Sequence, residues 1–244
     1  MAAPSSVIVV GVGARDGLGA ALCRRFAAGG LHVWAAGRTG HRLAAICEEI
    51  EGDGGAATPV VTDTTREDDV LALFDRVESD GPPLEVVLYN AGNNQPGVFT
   101  EMEAEHFERS WRVGCFGGFL VGREAARRLG SAGRGTVIFT GATGSLRGGP
   151  RFIAFASAKA GLRMIAQGMA RELGPKGVHV AHVVIDGGIA GERLLEHFPQ
   201  LAEAKGEGGL LELDAIAQTY WQLHAQDRSA WTHELDLRPF KEEW

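Results

Sequence analysis

The sequence predicts one α/β domain built on a doubly wound parallel sheet of about seven strands, with helices on both faces. Three observations predict it. Short β-branched runs alternate with helical patterns along the whole chain, without a linker or an internal repeat. Runs such as Val7-Ile8-Val9-Val10 are apolar throughout rather than alternating, as in strands buried on both faces. The 35 glycines are roughly twice the usual share, and many follow apolar runs, where the chain must turn tightly or approach a ligand closely.

The elements follow in order. Val7–Val12 reads as a first strand, Leu18–Ala28 as a helix and His32–Ala36 as a second strand. A helix from about Arg42 to Ile50, a strand Thr58–Thr62 and a helix over Asp68–Val77 come next. Leu84–Tyr89 is a fourth strand, followed by one long helix across Ala104–Leu129. Thr136–Thr140 is a fifth strand, Phe152–Leu173 a long helix rich in Ala, Ser and Gly, and Val178–Ile185 a sixth strand. Helical segments over Glu192–Lys205 and Asp214–His224 precede a last strand near Glu234–Arg238. Such alternation requires right-handed crossovers and a sheet covered on both sides.

Composition bounds the function. At 25.9 kDa, 45% hydrophobic and 23% charged, the chain has the makeup of a soluble globular protein with a sizeable core. Its net charge of −7 argues against nucleic acid or an anionic membrane surface as partner. Cys23, Cys47 and Cys115 lack metal-ligand spacing and read as small buried side chains in a reducing compartment. No run approaches membrane-span length and no basic leader precedes the first strand, so the expected location is cytoplasmic.

The turn after the first strand carries the chemistry. Gly11-Val12-Gly13-Ala14-Arg15-Asp16-Gly17-Leu18-Gly19 leaves a buried strand and opens a helix. Glycines there permit a tight turn, close approach to a pyrophosphate and tight helix–sheet packing, and the helix start offers N–H groups to the phosphates. The reading is a Rossmann-like dinucleotide site. An NAD site usually has Asp or Glu about 20 residues on, against the ribose 2′-hydroxyl; here that place holds Gly37-Arg38. A guanidinium suits a 2′-phosphate, and Arg15 would add a second positive charge, so the sequence favours NADP(H) over NAD(H).

With these residues in view, the chain resembles the short-chain dehydrogenase/reductase family over essentially its full length. The glycine motif matches Gly13, Gly17 and Gly19; Asp63 stands where the family's Asp contacts the adenine; and Asn90-Ala91-Gly92 matches the segment that shapes the cofactor floor. Lys159 matches the active-site lysine, and Asp186-Gly187-Gly188-Ile189 falls where the family has Pro-Gly beside the nicotinamide, with one extra residue. The resemblance implies a small-molecule substrate and a homodimer or homotetramer formed through the helices at Ala104–Leu129 and Phe152–Leu173.

The family's catalytic set is another matter. Its members use a Tyr to deliver the proton, a Lys to lower that pKa and hold the ribose, a Ser to bind the substrate oxygen and an Asn to maintain a water relay. The Tyr position is Phe155, in Phe155-Ala156-Ser157-Ala158-Lys159. The Ser position falls on Gly141 or Ala142, and the Asn position on Gly114. Three readings follow: an oxidoreductase with a relocated proton donor or a substrate that needs none, an inactive NADP(H)-binding sensor or oligomer partner, and a lyase or isomerase on the same scaffold. Candidate donors are Asp186, Thr143, Ser145, Ser157 and Tyr89, with capping of the segment after Gly191 as the structural role open to Asp186.

Other residues have plainer expectations. His179 and His182 lie three apart in a strand, point to opposite faces and cannot chelate together. Trp221, His224 and Trp231 read as core or subunit-contact residues, with Tyr220 or Trp221 lining the substrate pocket as the alternative. In that alternative, the resemblance implies a cap after the sixth strand, with residues 190–212 as a substrate-side lid hinged at Lys205-Gly206-Glu207-Gly208-Gly209. Arg147 and Arg151 flank the pocket mouth, where they would suit an acidic substrate.

Overall fold

Residues 5–92 and 94–242 are described by a computed structural model. Seven parallel strands lie in the order β3-β2-β1-β4-β5-β6-β7. They are β1 Ser6–Val10, β2 His32–Gly37, β3 Ala56–Val61, β4 Leu84–Tyr89, β5 Gly135–Thr140, β6 Val178–Ile185 and β7 Glu234–Leu237. The order reverses at β1, between β2 and β4, and a crevice opens at the carboxyl ends of strands at such a reversal.

The pleat divides the strand residues between two cores. One face carries Val7, Val9, Val33, Val86, Leu88, Ile138 and Val183 against α1 (Leu18–Ala28), α2 (Gly40–Gly52) and α9 (Leu213–His224). The other carries Ile8, Val10, Trp34, Tyr89, Phe139 and Val180 against α3 (Glu67–Asp80), α5 (Gly117–Ala132) and α6 (Ile153–Leu173). Each fully buried side chain of this size contributes about 1.5–3 kcal/mol of apolar burial, so the unbroken apolar runs are what keep both faces covered. Cys23, Cys47 and Cys115 are buried free thiols.

The long helix expected over Ala104–Leu129 is interrupted. It consists of α4 (Ala104–Trp111), a π-helical turn Arg112–Phe116, and α5. The sequence around the turn is glycine-rich and the space is tight. A Cβ on Gly114 would lie 2.7 Å from that of Ala158 in α6, and one on Gly117 would lie 2.6 Å from the Tyr89 hydroxyl. The Tyr89 hydroxyl donates to the Val113 carbonyl at 2.5 Å, giving that carbonyl a partner from outside the helix. The segment after β6 is also divided, into α7 (Glu192–His197) and α8 (Pro199–Lys205), because Pro199 starts a new helix.

Tyr220 and Trp221 pack into and against the core on the α1 side of the sheet. Tyr220 is fully buried and its hydroxyl bonds the Thr140 side chain at 2.8 Å. The Trp221 ring packs edge-on to Phe26 and under the Arg25 guanidinium, against Gly29. The core reading of these residues is the one the geometry favours. Trp231 stacks on His179, and His224 bonds Thr136.

Replacing the Tyr89 hydroxyl with hydrogen removes the Val113 partner without opening a cavity. Tyr89→Phe is expected to lower unfolding free energy by about 1 kcal/mol, read from the urea midpoint at constant slope. An unchanged midpoint would mean the π-helical turn is held by packing alone.

Candidate active site

The site forms where the loops after β1, β4, β5 and β6 meet. Gly11 has φ of +89°, and an added Cβ would lie 2.6 Å from the Ala91 nitrogen, so the loops after β1 and β4 touch through backbone. Gly19 is as confined, 2.6 Å from the Gly11 carbonyl oxygen on the same measure. Gly13 faces open space, with nothing within 4 Å. Gly17 precedes α1 without a side-chain cap, and the first turn, from Leu18, holds no acidic residue. Those amides are left for an anion, and this cradle fits a pyrophosphate.

The charged residues of this half divide. Arg15 pairs with Glu49 at 2.8 Å, and Arg24 bonds its backbone oxygen. Arg38, just past β2, is exposed and makes no hydrogen bond or ion pair among the described residues. Asp63 turns its carboxylate onto the N–H and hydroxyl of Thr65. Its pKa is lowered: despite the opposing effect of burial, the Thr65 hydrogen bonds and the charges of Arg38 and Arg66 favour the carboxylate. The Asn90 amide reaches toward the Gly11 carbonyl at 3.5 Å.

Lys159 anchors the other half. It is 4% exposed, and its Nζ donates to the Thr140 carbonyl at 2.7 Å. Gly92 sits beside it, where an added Cβ would come 3.2 Å from Nζ. The ammonium lies 5.9 Å from the Phe155 ring centroid, the only group at the tyrosine position. Burial without a carboxylate partner pulls the Lys159 pKa down to about 8.

The remaining predicted residues are engaged elsewhere. Ala142 donates its backbone N–H to the Ser145 hydroxyl at 3.1 Å. Gly141 has no room for a side chain, because the His182 Nε2 lies 2.3 Å from where a Cβ would be, and of the two places considered for the Ser this leaves Ala142. Asp186 accepts the Thr143 hydroxyl and pairs with Arg238 at 3.2 Å and Arg147 at 3.7 Å. It therefore ties the β5 and β6 loops to the segment after β7, rather than capping the helix after Gly191. Gly187, with φ of +152°, passes against Pro239, and Ile189 bridges to Leu211. That bridge closes the base of the segment expected as a lid, and Glu192 N–H fastens it to the Asp16 carbonyl of the glycine loop at 2.8 Å.

Sequence reading missed two features. The first is the set beneath α6: Arg163 binds Glu234 through two hydrogen bonds, and Glu234 accepts from His182 at 2.9 Å. The Arg163 hydrogen bond leads in holding Glu234 at about 2, and burial holds His182 at about 4, so this imidazole is neutral. Register made the pair discoverable, since His182 and Glu234 are directly opposed on β6 and β7, but only once that pairing is known. The second is Arg151, at φ of +66° between Pro150 and Phe152, which nothing in the sequence marks as left-handed. No cluster of three or more His, Cys, Asp or Glu suited to a metal occurs among the described residues. No helix there is long and apolar enough to cross a membrane.

A strand order reversing at a glycine-lined crevice, with a buried lysine beside it, defines a doubly wound, Rossmann-like α/β protein. The sequence profile of the short chain dehydrogenases matches residues 6–193, and the chain belongs to that family. It is 32% identical over 185 residues to YuxG, an uncharacterized oxidoreductase of Bacillus subtilis (strain 168), a match spanning 75% of this chain and 27% of that protein. The crystal structure of a short-chain dehydrogenase from Rhodopseudomonas palustris is similar at 40% identity and a TM-score of 0.82, covering 97% of this chain and 99% of the other. A metagenomic short-chain oxidoreductase solved with NADP shares the fold at 23% identity and a TM-score of 0.82, over 97% and 98% of the two chains.

The buried ammonium makes a testable demand. Its pKa of about 8 in the fold lies below the 10.5 of an unperturbed lysine, a difference worth roughly 3 kcal/mol. The folded chain thus binds fewer protons than the unfolded one between those pH values. The cost is complete below about pH 8 and disappears as pH rises toward 10.5. Lys159→Met forfeits one hydrogen bond, worth about 1 kcal/mol, and should still be more stable than the parent by about 1–2 kcal/mol at pH 7. Urea unfolding at pH 7 and pH 10 checks this, the expected advantage shrinking at the higher pH. A variant no more stable at pH 7 would mean the ammonium is effectively solvated.

Proposed function

We propose that this protein is an NADP(H)-preferring oxidoreductase acting on a small molecule that exchanges hydride without a proton from the tyrosine position. The observation that carries the reading is the division of the site. The cofactor-holding half is kept, with Lys159 buried beside Gly92, while Phe155, Ala142 and Gly114 put no hydroxyl or side-chain amide at the three positions where the family handles the proton.

Residue roles follow from position. Gly11, Gly13, Gly17, Leu18 and Gly19 would receive the pyrophosphate, Arg38 the 2′-phosphate and Asp63 the adenine side. Asn90, Ala91, Gly92 and Lys159 would hold the nicotinamide ribose, with Gly187 and Ile189 on the nicotinamide side. Arg15 contributes charge only in exchange for its Glu49 partner. The NADP held by a protein of the same fold supports the nucleotide, and the unpaired Arg38 supports the preference. When bound, the nicotinamide supplies or accepts hydride. Asp186, held between two arginines and Thr143, is a structural tie rather than the missing acid.

The substrate must match this division. Loss of a positioned general acid typically costs about 10²–10⁴ in rate, and loss of an oxyanion donor about 10²–10³. A carbonyl suffers both losses; an iminium-like centre, already positive, needs no protonation as hydride arrives. Residues 190–212 close over the substrate, and Phe107, Trp111, Phe119 and Met164, exposed on α4 to α6, are covered by a second copy of the chain. One observation favours an inactive NADP(H)-binding protein instead: Gly114 packs so closely on Ala158 that the relay amide cannot be accommodated.

Fluorescence titration with NADPH and NADH tests the cofactor half. NADPH should bind at least tenfold tighter, and Arg38→Asp should abolish or reverse the preference; equal affinities in the parent would remove Arg38 from the site. The double variant Phe155→Tyr with Ala142→Ser tests the other half, with an expected gain of at least tenfold in reduction across a carbonyl panel. Unchanged NADPH binding with no gain would show that the pocket itself no longer admits a ketone.

A further inference from the structure

Resting on that reading of the site, we infer that its substrate has an apolar body and a carboxylate, the carboxylate held by Arg151 with Arg147 beside it. The loops after β4 and β5 meet at the mouth of the crevice, where Gly97 N–H donates to the Arg151 carbonyl at 2.7 Å. Arg151 is there the one non-glycine residue with positive φ among the described residues, at +66°. Its Cβ makes that conformation unfavourable, and Gly148 and Gly149 stand close by in sequence. Residues kept in such a conformation by their surroundings gather at functional sites.

The guanidinium presented this way has no structural task. The Arg151 side chain is exposed and makes no hydrogen bond or ion pair among the described residues. Arg147 is 60% exposed and reaches only Asp186, at 3.7 Å. Residues 90–100 and 141–152 contain no Asp or Glu, in a chain of net charge −7, and the acidic run begins only at Glu101. Asp186, the acid that Arg147 reaches, already accepts from Thr143 and Arg238.

The same rim is apolar. Leu146 and Phe152, sequence neighbours of the two arginines, are 46% and 39% exposed, and Val98 and Phe99 follow Gly97 at 44% and 69%. Phe152 immediately precedes α6 and stands three residues before Phe155, so apolar rings flank the start of that helix. Leu195, Phe198 and Leu201 are exposed on α7 and α8, in the segment that follows β6 on the same carboxyl-end side. Exposed apolar groups clustered around a crevice mark a binding surface, and the interleaved arginines select an anionic end, for which a planar guanidinium and a carboxylate are matched in geometry.

Octanoate, octanol and octyl phosphate serve as probes on the full chain, titrated with and without NADPH at constant ionic strength and followed by tryptophan fluorescence. Octanoate is expected to bind at least tenfold tighter than octanol. Arg151→Gly, which accepts the same backbone angle, should weaken octanoate roughly tenfold and leave octanol and NADPH unchanged. Arg151→Asn, also tolerant of positive φ, should give the same loss. Equal binding of octanoate and octanol, or no effect of either variant, would overturn the inference. Preference for octyl phosphate over octanoate would overturn the carboxylate assignment. Discrimination by Arg151 in a protein that fails to bind NADPH would sustain the anion site and sink the oxidoreductase reading alone.

Discussion

At the reversal point of the sheet, three pieces of backbone approach one another more closely than any side chain permits, and the cleft is the outcome of that approach. Gly11 presses on Ala91 and Asn90, Gly19 on the Gly11 carbonyl, and Gly37 on the Val12 carbonyl, where an added Cβ would come within 2.2 Å. These contacts seat α1 on the end of β1 and bring the loop after β4 beside the loop after β1. Bulk on any of them moves the helix start off the crevice, and with it the open face at Gly13. The apolar strands supply the stability, while the glycines decide where that stability leaves a gap.

The second half of the crevice is organised around polar groups that the core has to accommodate. Lys159 and Arg163 lie one helical turn apart on α6, and each meets a different solution to burial. Arg163 finds a carboxylate in Glu234, which in turn orients His182 beneath Gly141. Lys159 finds only the Thr140 carbonyl, whose own side chain is fixed by Tyr220 from the far side of the sheet. An ammonium kept in so poorly compensated a place costs stability, which accords with a group retained for what it holds. The Phe155 ring, with its centroid 5.9 Å from the ammonium, offers it no hydrogen-bond acceptor.

Much of the fold was legible in the chain. Helix α1 and strands β4 and β6 fall at the residues read from sequence, and other boundaries move by one to three residues, because continuous apolar runs and glycine turns are local signals. The helix read as continuous over Ala104–Leu129 was not, since its break depends on Tyr89 arriving from β4 and Ala158 from α6. In the candidate site, the glycine motif, Arg38 and Lys159 announce themselves by spacing and residue type. The engagement of Arg15 by Glu49 and of Asp186 by Arg238 does not, because those partners lie 34 and 52 residues away.

Sequence alone was sufficient for the architecture, for the glycine turn after the first strand and for the absence of a phenol at position 155, each being a matter of which residue types stand next to which strands. Tertiary structure decided how the remaining groups are spent. It gave Thr140 to Lys159, denied Gly141 a side chain by placing His182 against it, turned Trp221 into core and held Arg151 in a left-handed conformation at the mouth. The physical reason is that period and propensity act over a few residues, whereas a buried polar group takes its properties from whichever distant atoms the fold delivers within about 3 Å.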